Sequence, residues 1–430
     1  VAVPQAARRT PLTGRSANRD EVARGREWLA GGIGALVVVV GLVTFTGVGI
    51  LQGWFDSTDV EGTTEGFEPT AEPRPGAVGQ WTEFGYDSQR SRSNTDLRIP
   101  PPYKAAWRVD AGSLLEFPPV IRDGRVIVGT NRGRMFAVEA TTGRLLWNRK
   151  LRGRVAAAPA VTARVAIIPT TQGYVYGVNP ATGGVRWRVK VGGAVESSPL
   201  LADDSAYVGT LDGRIFKLNV RDGSRVWNAK GSGDIKGSLA VAGDTVVAGD
   251  YGGRVAAFRR SDGRQVWETE SPGTTLRGAG RFYAGPAVAY GRVFIGNVNG
   301  RVMALNQRTG AIAWVRVLDD FVYSSAAVSR RTVYVGSYDT RLHAIDAVTG
   351  RVKWSFNARE RISGSPTVIG DLVYFSTIAK RPKDGRTFAL DARTGKLRWN
   401  FPDGRYGGAV GVKGLLVVTG VRTLYGLVPR

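Results

Sequence analysis

The chain has 430 residues, with 59 Lys and Arg against 36 Asp and Glu, 58 Gly, 11 Trp and no Cys. A 43% hydrophobic share with 9% aromatics is enough to bury a large core, which excludes general disorder and leaves one big repetitive domain or two domains. The missing Cys excludes disulfides, Cys-ligated metal centres, thiol catalysis and a Cys-linked lipid, while the net charge of +23 directs attention to anionic partners.

In chain order, residues 1–27 form a basic tail carrying Arg8, Arg9, Arg15, Arg19, Arg24 and Arg26. Residues 28–51 follow as a predicted membrane anchor, since Leu29 to Leu51 runs 23 residues without a charge, flanked by Trp28 and Trp54. At about 1.5 Å per residue such a helix spans roughly 34 Å, enough for a hydrocarbon core of about 30 Å. The apolar run is longer than that of a signal peptide and lacks an A-x-A-like cleavage site, so it reads as an uncleaved single-pass anchor. Arginine before the span and six acids after it, within 53–76, place the N-terminus in the cytoplasm and the remainder outside it. Residues 52–79 are acidic and rich in Pro, Gly and Thr and read as a tether. Residues 77–430 are left with +25, so the exported part carries the charge excess. Nucleic acid, on the other side of the membrane, is not expected as a partner.

From residue 80 onward a repeat governs the chain. Trp107, Trp147, Trp187, Trp227, Trp267, Trp314, Trp354 and Trp399 are spaced by 40, 40, 40, 40, 47, 40 and 45 residues. The last seven close one phrase, Ala137-x-Glu139-x-x-Thr142-Gly143-x-x-x-Trp147 in its first copy and Asp391/Thr394-Gly395/Trp399 in its last. Within each repeat, short β-rich runs alternate with turn signals such as Asp203-Asp204, Asp212-Gly213 and Asp222-Gly223. Four antiparallel strands per 40 residues, repeated radially, predict an all-β propeller over 80–430. Trp107 lacks three preceding strands, and three strands near the C-terminus lack a closing Trp. The strand Lys104 to Val109 is therefore expected to complete an eighth blade, with seven blades as the alternative if Trp107 lies outside the ring. The large flat indole suits docking at the seam between blades.

The phrase A-x-[DN]-x-x-[TD]-G-x-x-x-W resembles the repeat of the pyrroloquinoline-quinone-type (PQQ-like) β-propellers, in which the Trp docks between blades. The resemblance covers Gly79 to Arg430 and is closest in character to the non-catalytic, BamB-like members that scaffold assembly in the cell envelope. It implies a binding scaffold, no cofactor, and an envelope protein or an anionic polymer or lipid as partner. The resemblance also includes quinone-dependent dehydrogenases, where the quinone lies over a central Trp beside calcium and beneath a disulfide of adjacent Cys. This chain has no Cys for that disulfide, and its acids Glu116, Glu196, Asp234, Asp319 and Asp320 are interspersed with Arg and Lys. PQQ with calcium therefore stands as the alternative, as does a sensor or adhesin for anionic glycan or lipid.

With strands lettered A to D from the axis outwards, the B–C and D–A loops share one face. Both long repeats carry their insertions there, around Thr274 to Tyr283 and Ala379 to Asp384, and insertions clustered on one face mark a binding face. The candidate partner-binding residues on that face are Arg281, Phe282, Tyr283, Phe321, Tyr323, Arg361, Lys380, Arg381, Arg405 and Tyr406, with Lys236, Tyr251 and Tyr338 beside them. The lone His343 is read as a packed residue on an inner strand. No catalytic or metal-binding set is assigned.

Overall fold

The computed structural model describes residues 59–60, 62–70, 79–273, 280–378 and 385–430. The chain divides into two units, Val1–Ser57 and Thr58–Arg430, and the first, with the predicted anchor, lies outside the described residues. Among the described residues no helix is long and apolar enough to cross a membrane.

The second unit is an eight-bladed propeller of four-stranded antiparallel blades. In the third blade Leu200–Ala202, Ser205–Gly209, Arg214–Asn219 and Arg225–Lys230 pair in sequence order, and every other blade but the eighth repeats this plan. Second strands such as Ser205–Gly209 and Thr245–Gly249 are buried along their whole length, because each is covered on both faces by neighbouring blades. Outermost strands such as Val185–Lys190 alternate exposed and half-buried positions, as a one-sided edge must.

The ring closes where the strand Tyr103–Asp110 pairs antiparallel with Thr423–Pro429, so the eighth blade is assembled from both ends of the propeller sequence. Each outermost strand carries a register shift just before its Trp. In the third blade Trp227 faces Lys217 but Arg225 faces Leu218, which leaves Val226 as the extra residue of a bulge.

The seams explain the repeat phrase. The indole N–H of Trp107, Trp147, Trp187, Trp227, Trp267 and Trp314 donates to the backbone carbonyl of Ala140, Pro180, Val220, Arg260, Gln307 and Ala347, each in the next blade, at 2.8–3.1 Å. The Gly of the phrase receives the preceding Trp. Gly350 has φ +74°, and a Cβ there would lie 2.9 Å from the Trp314 ring. At the seam between blades seven and eight, where the chain has no such turn, Tyr103 meets Trp399 edge-on at 4.9 Å.

Two N-terminal segments do work that the repeat does not announce. Residues 81–94 cross the channel and pair with the inner strands of seven blades. Trp81 exchanges two backbone bonds with Ile121, and Thr82 accepts from Val161. The Glu83 carboxylate accepts from Leu201, and Ser88, Gln89, Ser91 and Arg92 accept from Val241, Val288, Val328 and Val368. Inner strands would otherwise face the channel with unpaired N–H groups, so this plug satisfies an edge that radial repetition leaves open.

Residues 59–60 and 62–68, inside the segment read as a tether, lie against blades five and six, the Gly62 N–H donating to the Thr349 carbonyl. Val60 bridges Val315, Asp59 pairs with Arg316, and Phe67 stacks on Tyr290 at 5.5 Å.

Candidate functional site

The D–A loops end in a repeated three-residue pattern that sets what faces solvent. In Asp234-Ile235-Lys236, Phe321-Val322-Tyr323 and Arg361-Ile362-Ser363 the first residue is exposed, the second buried and the third half-buried. The middle side chain wedges against the glycine that ends the second strand, as Val322 does at Gly296 and Ile362 at Gly336. Phe282 occupies this wedge position against Gly249 and is fully buried, so it is not part of the surface where the sequence placed it. Arg405 is also buried, its backbone tied to Thr419, and Lys380 and Arg381 lie outside the described residues. His343 sits on the third strand of blade six, not an inner one, and its Nε2 meets Asp339 at 2.7 Å.

The other candidates come together. Ring centroids of Tyr251 and Tyr283 are 4.7 Å apart, Tyr283 and Tyr323 4.8 Å, and Tyr323 and Tyr338 4.7 Å. Phe321, 43% exposed, stands beside Tyr323 and Tyr338. Cations cover this ladder: Arg281 over Tyr251, Lys236 over Tyr283 and Arg361 over Tyr338, at 5.1–5.8 Å. Burial raises the pKa values of Tyr251, Tyr323 and Tyr338, so these phenols stay neutral and keep their protons for donation.

The ladder borders a funnel of about 360 Å³ at the channel mouth, also lined by Glu116, Phe117, Pro118, Glu196, Tyr406 and Ile378. Ser238, Ser325 and Ser365 also line it. Ser198, Ser238, Ser325 and Ser365 each accept a backbone N–H from the preceding blade, at 2.9–3.1 Å, which ties neighbouring D–A loops together. Phe84 and Arg92 of the plug form the floor. The sequence reading missed these two, since nothing in the spacing of residues 81–94 shows that they enter the channel. The serines were within reach, because they recur 40 residues apart in two pairs, Ser198 with Ser238 and Ser325 with Ser365.

An eight-bladed, Trp-docked propeller with a plugged channel and an aromatic, cation-covered mouth defines a class of repeat propeller. The family model described as "Outer membrane protein assembly factor BamB" matches residues 103–168, 159–323 and 299–425, and the chain belongs to that family. Among solved structures, BamB from Moraxella catarrhalis is similar at 17% identity with a TM-score of 0.64, over 76% of this chain and 100% of that one. A europium-containing methanol dehydrogenase shares the fold at 13% identity and a TM-score of 0.68, covering 81% and 98% of the two chains. The quinohemoprotein alcohol dehydrogenase from Comamonas testosteroni does so at 14% and 0.68, covering 81% and 80%. No curated protein sequence matches the chain.

Proposed function

We propose that this protein is a non-catalytic binding or assembly scaffold of the bacterial cell envelope, with an extracytoplasmic propeller joined to the cell membrane by a single span at 28–51. The observation that carries this reading is the ladder of half-buried Tyr283, Tyr323 and Tyr338 with exposed Phe321 beside it, under Arg281, Lys236 and Arg361. Tyrosine and arginine at a funnel mouth are the side chains that supply most binding energy at protein interfaces. The +25 on residues 77–430 adds attraction for an acidic partner.

A quinoprotein dehydrogenase is the alternative, and the donor set weighs against it. Calcium with the quinone asks for several acid and amide oxygens at one point. The funnel offers Glu116 and Glu196, the latter held by Lys236 at 2.8 Å, and the described residues contain no group of three His, Asp or Glu placed for a metal. These residues do not fit the calcium-bound quinone.

The test is capture from a detergent extract of the native envelope by the full chain and by a Tyr283→Ala/Phe321→Ala/Arg361→Ala variant. Retention of an envelope protein or polymer by the first and its loss from the second is expected. Equal capture by both, or capture of nothing, removes this face as the binding site.

A further inference from the structure

The floor of the funnel holds a buried guanidinium whose hydrogen bonds the protein only partly satisfies. Arg92 is 1% exposed, and its Nε donates to the Pro366 carbonyl at 2.9 Å. Its Nη1 is buried without a hydrogen-bond partner, and among the described residues no carboxylate pairs with it. Its guanidinium stacks 4.1 Å over Phe84, the other floor residue. Asp87, the nearby plug carboxylate, is occupied by the backbone N–H and hydroxyl of Ser91. A buried guanidinium with an open N–H is costly unless something supplies the missing acceptor.

The surroundings specify that acceptor. Ser238, Ser325 and Ser365 line the same funnel, and each hydroxyl already accepts a backbone N–H, which leaves its own proton to donate. The charges on the wall are Arg92 and Lys236 against Glu116 and Glu196, which balance. A balanced wall favours a monoanion over a dianionic phosphate, and the planar guanidinium suits a carboxylate. The upper wall is Phe117, Pro118, Ile378 and the tyrosines. A sugar acid would bring hydroxyls that the apolar part of this wall strips of water without replacing their hydrogen bonds. A peptide brings one carboxylate and mostly apolar or aromatic neighbours.

We infer that the funnel is a receptor for a peptide carboxylate, bound at its floor by Arg92 and the Ser238, Ser325 and Ser365 hydroxyls and gripped above by Tyr283, Tyr323 and Tyr338. This rests on the scaffold reading and names the chemical feature of the partner that the scaffold holds. The volume, about 360 Å³, lies at the small end of ligand pockets, enough for the end of a chain or an acidic side chain but not for a folded domain.

The test is fluorescence anisotropy with the full chain in detergent and three labelled hexapeptides of glycine, serine and phenylalanine. One has a free C-terminal carboxylate, one is amidated, and one is amidated but carries an internal glutamate. One of the two carboxylate peptides is expected to bind, with the uncharged amide weaker by about tenfold or more, the worth of a charge-assisted hydrogen bond. Which of the two binds distinguishes a chain end from an acidic side chain. Arg92→Gln should remove the preference for the carboxylate. Ser365→Ala and Tyr338→Ala, which leave the plug untouched, should weaken binding while far-ultraviolet dichroism stays unchanged. Equal binding of the amide, no binding of any peptide, or competition by glucuronate or inorganic phosphate at lower concentration than by both acetylphenylalanine and acetylglutamate α-amide overturns the inference. Wild-type capture of envelope partners by Arg92→Gln also overturns it and leaves the scaffold reading intact.

Discussion

An indole, a glycine and one carbonyl form the unit from which this ring is built. Trp314 is fully buried, its N–H bound to Ala347 and its ring seated on Gly350 of the next blade. Trp314→Ala should cost about 3–5 kcal/mol for the cavity. Trp314→Phe, which keeps most ring packing but removes one of the two donors to the Ala347 carbonyl, the other being Arg292 Nη1 at 3.0 Å, should cost about 0.5–1.5 kcal/mol. Urea unfolding midpoints should rank wild type, Phe and Ala in that order, and equal midpoints for Phe and wild type would show that the indole N–H contributes nothing. This part of the fold was legible because each Trp and its Gly recur at a fixed spacing. Phe282 was misplaced because it was read singly, as an aromatic in an inserted loop. Set beside Val155, Ile235, Val322 and Ile362 it falls in the buried middle position, and the insertion only hides the alignment. Burial by a neighbouring blade is a property of the repeat position, not of the residue type.

The plug is the element that the sequence did not disclose. It has no period, and its partners are inner-strand N–H groups of seven blades, which become neighbours only after the ring has closed. It also carries charge into the core: Glu83, Asp87, Arg90 and Arg92 are all buried. Burial pushes Glu83 up to about 7 and Asp87 up to about 6, although Arg90 pulls both down. Each carboxyl thus binds its proton more tightly in the folded protein than in the unfolded chain. The stabilisation they contribute is present below the unfolded values near pH 4 and is lost as pH rises through about 6 to 7. Unfolding midpoints of the wild type should therefore fall between about pH 5 and about pH 8 with a steeper slope than those of Glu83→Gln, which cannot ionise. Identical slopes would mean that Glu83 is ionised throughout, held by Arg90 at 2.9 Å.

At the scale of the whole molecule, the eighth blade decides whether the ring is a closed object. Its outermost strand comes from the front of the propeller and its other three from the end, so unlike the other blades it cannot form from local sequence. The strand count made this closure legible, because an orphan Trp strand and an orphan three-strand group have one mutual solution. Lys104 and Val428 are direct partners across that latch. Partners in an antiparallel pair stand about 4.5–5.5 Å apart at Cα, within disulfide reach, and a chain without Cys offers the introduced pair no competing thiol. Lys104→Cys/Val428→Cys should form this bond and raise stability by about 2–4 kcal/mol, read as a urea midpoint that returns to the wild-type value on reduction. An unchanged midpoint with the bond formed would place the first opening at another seam. The latch also bears on the funnel, whose wall takes Glu116 to Pro118 from just after the first strand and Tyr406 and Gly407 from just before the last three. Since the disulfide joins strands that already pair, it should leave peptide binding at the funnel unchanged while the ring itself becomes harder to open.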